Sequence, residues 1–89
     1  MTSMTSFKNK YKLFKITWWD IQTSEKSWIN EDDILQEDIA VCHDVGYIFK
    51  RSKDKLWLFT SYHEGKDSFD VGGLTVLPIG VIKNIEEIK

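Results

Sequence analysis

The segment that decides the fold is IAVCHDVGYIFKRSKDKLWLFTSY, residues 39–62. Residues 39–49 and 56–62 are rich in β-branched and aromatic side chains, and the charged residues 50–55 separate these two runs. β-branched and aromatic residues favour strands, and a short polar stretch between two such runs is typical of a β-hairpin. We therefore predict two antiparallel strands that are joined by a turn around Lys53.

Further strands are predicted on both sides of this hairpin. Residues 11–21 carry apolar side chains on both alternating faces, so we expect a strand that is covered on both sides. Residues 74–77 form another predicted strand, and Pro78 and Gly80 predict a tight turn after it. In residues 81–88 an isoleucine recurs every third residue, which fits a strand or a short helix. The β-branched side chains favour a strand with a bulge.

The connecting segments also carry signals. Residues 22–27 are polar and predict a loop, whereas Asn30 followed by three acidic residues is a helix start signal. We expect one or two helical turns there. Residues 63–73 contain three glycines and are predicted to form a longer loop.

These elements predict a mainly β fold, a five-stranded small antiparallel barrel with one short helical turn between strands 1 and 2. The alternative is an open α+β sheet with a longer helix. With 89 residues, the chain is expected to form a flexible N-terminal tail at residues 1–7 and one domain at residues 8–89. No apolar run reaches membrane-spanning length and no signal peptide is apparent, so we predict a soluble cytoplasmic protein. The single Cys42 is expected to be a buried thiol.

Charge argues against a dedicated nucleic-acid binder, because the formal net charge is -2 and binding to phosphates normally requires a basic excess. The cations are concentrated in two places, residues 8–15 and 50–55, and the acidic residues are concentrated in residues 31–38. The two basic clusters fit either solubilising surface charge or an anion-binding site.

The two histidines suggest a metal site only if the strands pair in one register. A turn around Lys53 would place His43 opposite His63, Tyr47 opposite Phe59 and Phe49 opposite Trp57. Two ligands do not complete a tetrahedral site, so we predict no metal and no cofactor. Gly72-Gly73 lacks the lysine of a phosphate-binding loop, and no nucleophile motif is present, so we predict that the protein is not an enzyme.

Trp18 and Trp19 are adjacent and must point to opposite faces of a strand. We expect one of them in the core. The other, together with Trp28, is expected to contact a neighbouring subunit, the 22–38 segment or a ligand.

The order of ITWWD (16–20), Trp28, VGYI (45–48) and LPIGVIKNI (77–85) resembles a family of short phage-encoded proteins. The Leu-Pro-x-Gly-x-Ile-x-x-Ile ending also resembles the proline turn and last strand of SH3-like and Sm-like barrels. The resemblance covers residues 11–88 and implies a barrel fold and a phage context. It assigns no catalytic residue.

Together, these observations predict a non-enzymatic phage-type accessory protein, with counter-defence as one role. It would form a homo-oligomer and capture a nucleotide-derived ligand at the interface between copies. The first alternative is an interaction module that docks on a host or virion protein, and the second is an Sm-like nucleic-acid binder. The candidate ligand-binding residues are stacking aromatics, phosphate-binding cations and two histidines: Trp19, Trp28, Tyr47, Tyr62, Lys15, Lys50, Arg51, Lys53, His43 and His63.

Overall fold

The computed structural model describes residues 10–89, which form seven strands, one short helix and one 3-10 turn. The predicted tail at residues 1–7 lies outside the described residues. The mainly β prediction is confirmed, and no helix within residues 10–89 is long and apolar enough to cross a membrane. The elements in chain order are β1 (Leu13–Asp20), α1 (Glu31–Ile34), β2 (Ala40–Arg51), β3 (Lys55–Phe59), β4 (Ser61–Glu64), β5 (Phe69–Gly72), β6 (Thr75–Pro78), the 3-10 turn (Ile79–Val81) and β7 (Ile82–Glu87).

Five of the strands form one antiparallel sheet in the order β6-β3-β2-β1-β7, and β4 pairs with β5 in a separate two-stranded sheet. The prediction of a barrel is wrong in its closure, because β6 and β7 are the unpaired ends of the sheet in the described chain. The physical reason lies at Pro78, which ends β6 and has no N–H to donate. The following N–H, that of Ile79, donates to the Asp54 carbonyl oxygen at 2.9 Å, next to the Lys55–Pro78 pair, and the chain then enters the 3-10 turn.

In two segments the structure differs in detail from the prediction. The predicted strand at residues 56–62 is interrupted at Thr60, which separates β3 from β4. Residues 63–73, predicted to be a loop, contain the end of β4 and all of β5. The predicted helical turn is confirmed: Asn30 caps α1, and its Oδ1 accepts a hydrogen bond from the Asp33 N–H at 3.2 Å.

The main core lies on the inner face of the five-stranded sheet, where Ile16, Leu56, Leu58 and Leu77 form one buried cluster. β2 lies between β1 and β3 in the sheet, and its inner face carries Gly46 at this level. A Cβ at Gly46 would lie 2.7 Å from the Phe59 carbonyl oxygen and 3.1 Å from Leu58 Cγ. The missing side chain therefore leaves room for Leu58 above β2, and the sheet curls around the cluster.

A second cluster lies on the outer face and is centred on Phe59, which is 0% exposed. The Tyr11 ring meets Phe59 edge-on at 5.3 Å between centroids, and the Phe69 ring does so at 6.4 Å. Tyr47, Tyr62 and Val71 also pack against this cluster. The β4–β5 hairpin therefore covers one end of the outer face.

The predicted register between β2 and β3 is confirmed at Tyr47, which pairs with the core residue Phe59. A register shift after Ile48 then places Lys50, and not Phe49, opposite Trp57. The predicted pairing of the two histidines is wrong. His43 lies opposite Thr17 on β1, whereas His63 lies opposite Asp70 on β5, because the break at Thr60 leads the chain into the second sheet.

The predicted C-terminal strand with a bulge is confirmed in β7. Thr17 pairs with Asn84 and the next residue, Trp18, pairs with Ile82, so Lys83 is an extra residue in β7. A bulge of this kind leaves one residue unpaired and redirects its side chain.

Replacing Gly46 should destabilise the protein far more than replacing Gly80. The Cβ of Gly46→Ala would meet the backbone oxygen of Phe59, so we expect the free energy of unfolding to fall by about 2 kcal/mol. At Gly80 a Cβ would meet nothing within 4 Å, and Gly80→Ala should change the stability by less than about 0.5 kcal/mol. Urea denaturation of both variants tests this, and equal losses would contradict the role given to Gly46.

Candidate functional site

A shallow cleft of about 350 Å³ opens beside the core, between the end of β2 and β7. Its floor is apolar and consists of Ile79, Ile82 and Ile85, which also pack against the buried cluster. Its remaining lining residues are polar: Arg51, Lys83 and Asn84. The cleft thus combines an apolar surface with two cations and one amide.

Arg51 is positioned by the β2–β3 turn, which Ser52 stabilises. The Ser52 Oγ accepts hydrogen bonds from the N–H groups of Asp54 at 3.3 Å and Lys55 at 3.0 Å. The Ser52 N–H donates to the Lys55 carbonyl oxygen at 2.8 Å. Because the Asp54 carbonyl in turn accepts from the Ile79 N–H, the turn that follows Arg51 is tied to the 3-10 turn that supplies Ile79 to the cleft.

Lys83 reaches the cleft from the β7 bulge. Its Nζ lies 5.8 Å from the centre of the Trp19 ring, which is within the range of a cation–π contact. Among the described residues that line the cleft there is no carboxylate to neutralise Lys83 or Arg51. The arrangement therefore favours an anion that also carries an apolar part.

The two adjacent tryptophans lie on opposite faces of β1, as predicted. Trp18 packs against the inner core, and its Nε1–H donates to Asp44 Oδ2 at 2.9 Å. Trp19 points to the outer face, where it is 42% exposed and lies opposite Val41. Trp28 is 92% exposed in the segment between β1 and α1.

Exposed apolar side chains surround Trp19 at the end of the β1–β2 ribbon. The last pair of the ribbon is Asp20 with Ala40, so Ile21 and Ile39 directly continue the two strands. Both are exposed, as is Val41. We call Trp19, Ile21, Ile39 and Val41 the tryptophan patch. Next to it, Thr17 Oγ1 and His43 Nδ1 are hydrogen-bonded at 3.0 Å.

The predicted ligand-binding residues are only partly brought together. Arg51 lines the same cleft as Lys83, and the Trp19 ring lies under the Lys83 ammonium. Tyr47 and Tyr62 pack against the Phe59 cluster instead. Of the remaining candidates, Lys50 and Lys53 are exposed near the β2–β3 turn, Lys15 lies on β1 between Val45 and Glu86, and His63 lies on β4.

Sequence reasoning missed Lys83, Asn84 and the isoleucine floor of the cleft. The signal that could have found them is the bulge predicted within residues 81–88, since a bulge between isoleucines redirects the polar residues that separate them. Within residues 10–89 there is no group of three or more His, Cys, Asp or Glu side chains that could hold a metal ion. Cys42 is a free, half-buried thiol opposite Trp18.

Comparisons of the chain with protein-family models, with curated proteins and with solved structures found no match. The chemistry of the site is therefore argued from its own geometry. The two features that this geometry offers are the cationic cleft with its apolar floor and the tryptophan patch, and Lys83 touches both.

Replacing the two adjacent tryptophans should have very different effects on stability. Trp18→Ala removes a partly buried side chain that packs against the core and leaves Asp44 without its indole partner, so we expect the free energy of unfolding to fall by about 3 kcal/mol. Trp19→Ala removes a half-exposed side chain and should cost about 1 kcal/mol. Urea denaturation followed by far-UV circular dichroism measures both. A loss for Trp19→Ala as large as that for Trp18→Ala would contradict the outward placement of Trp19.

Proposed function

We propose that the protein is a non-enzymatic binding protein that captures a nucleotide-derived ligand in the cleft between Arg51 and Lys83. The observation that carries the proposal is the pair of cations beside the isoleucine floor. An arginine side chain can donate two parallel hydrogen bonds to a phosphate, and a lysine adds a second positive charge. Ile79, Ile82 and Ile85 offer an apolar surface to the face of a base.

Asn84 supports a nucleotide over a simple amphiphilic anion. Its side-chain amide both donates and accepts hydrogen bonds, as the edge of a base and a ribose hydroxyl require. The cleft volume of about 350 Å³ also falls within the range of small-ligand sites, roughly 300–1,000 Å³.

We also propose that the five-stranded sheet is an SH3-like small barrel that is open between β6 and β7. The support is the 3-10 turn at Ile79–Val81, which connects β6 to β7. These are the fourth and fifth strands of the large sheet in chain order, and the turn lies within the Leu-Pro-x-Gly-x-Ile-x-x-Ile pattern. The curl of the sheet around the buried cluster also agrees with this fold. The resemblance to short phage-encoded proteins supports an accessory role in an infected cell. The captured ligand would then be a signalling nucleotide of the host, and its sequestration would be a counter-defence.

Isothermal titration calorimetry with AMP, ADP and 3′,5′-cyclic AMP tests the proposed ligand class. Adenosine and inorganic phosphate, titrated separately, report the contributions of the base and of the charge. We expect Arg51→Ala to weaken nucleotide binding about tenfold or more, because a hydrogen bond to a charged group is lost.

Lys53→Ala is the matched control, since Lys53 is an exposed cation two residues after Arg51 that does not line the cleft. This variant should bind within about twofold of the parent protein, because exposed charges outside a site contribute little. The proposal would be overturned by the absence of heat with every nucleotide, or by equal losses in the two variants. Tighter binding of single-stranded RNA than of mononucleotides, with a steep dependence on salt, would replace it with nucleic-acid binding.

A further inference from the structure

We propose that the tryptophan patch binds the same patch of a second copy of this chain, around a two-fold axis. The patch combines four exposed apolar side chains at the end of two paired strands. Trp19 is 42% exposed, Val41 49%, Ile39 45% and Ile21 83%, and the four side chains lie at one end of a single β-ribbon. Contiguous apolar surface of this kind is typical of interaction sites.

The charges around the patch identify a second copy as the occupant. On one side, Glu37 and Asp38 directly precede Ile39, and both line a shallow cavity of about 270 Å³ with Gln22 and Ser24. On the other side, the Lys83 ammonium lies over the Trp19 ring. The patch thus has an acidic edge and a basic edge, one on each side of its apolar centre.

This arrangement is self-complementary. In a two-fold interface the same surface occurs on both subunits, so every contact between two different residues occurs twice. Two copies that join their apolar centres would bring Lys83 of each copy toward Glu37 and Asp38 of the other. A partner that carries charges of one sign would be attracted to one edge of the patch and repelled by the other.

Sedimentation velocity over a range of protein concentrations measures the assembly directly and involves no nucleotide. We expect a dimer that dissociates on dilution. Lys83→Glu should place like charges together twice in each dimer and weaken self-association about tenfold or more, and so should the double variant Glu37→Lys/Asp38→Lys. An equimolar mixture of the two variants should restore the dimer, because both contacts of the mixed pair then join opposite charges.

Val41→Ser and Val76→Ser form a matched pair for the apolar centre. Both valines are about half exposed on strands, at 49% and 46%, but Val76 lies on the edge strand β6, which β3 separates from β2. We expect Val41→Ser to weaken the dimer and Val76→Ser to leave it unchanged. A monomer at every soluble concentration would overturn the proposal. So would a dimer that responds equally to the two serine variants, or a variant mixture that stays as weak as its components.

Discussion

The close approach of two backbones at Gly46 is the constraint on which the rest of the structure depends. The Phe59 carbonyl oxygen lies where a side chain of residue 46 would begin, and Leu58 occupies the space beside it. Leu58 is therefore buried on the inner face together with Ile16, although β2 lies between their strands. Phe59, the next residue, points outward and forms the centre of the second cluster. Gly46 thus makes room for Leu58 on the inner face, while Tyr11, Tyr47 and the β4–β5 hairpin cover Phe59 on the outer face.

The features that could be predicted from the sequence are those with local causes. The Asn30 cap, the pairing of Tyr47 with Phe59 across a charged turn and the bulge among the C-terminal isoleucines each depend on a few neighbouring residues. The β4–β5 hairpin could not be predicted in the same way. Its strands have four residues each, and their three large apolar side chains, Tyr62, Phe69 and Val71, are partly covered only by packing on one another, on Phe59 and on the distant Tyr11. Similarly, closure of the barrel depends on where Pro78 removes a donor from the edge of the sheet, which composition and periodicity do not report.

In the candidate site, too, the local features could be predicted and the contacts between distant segments could not. Arg51 was identified from a cluster of cations at a predicted turn, but its neighbours in the cleft come from a segment about thirty residues later in the chain. The contact that unites them is the hydrogen bond from the Ile79 N–H to the Asp54 carbonyl, a backbone interaction that side-chain patterns do not encode. Tyr47 and Tyr62 illustrate the opposite error. An aromatic ring suits a core as well as a ligand, and only the three-dimensional packing assigns these two to the Phe59 cluster.

Lys83 connects the two proposals, because its side chain lines the cleft and its ammonium lies over Trp19. A phosphate between Arg51 and Lys83 would compete with the carboxylates of a second copy for the same positive charge. Binding at one surface must then weaken binding at the other, and by thermodynamic linkage the effect is equal in both directions. A lysine in a bulge suits such an exchange, since it is released from the strand pairing that fixes its neighbours and carries a long, flexible side chain. In these two proposals, the bulge in β7 couples the proposed anion site to the proposed assembly surface through one residue.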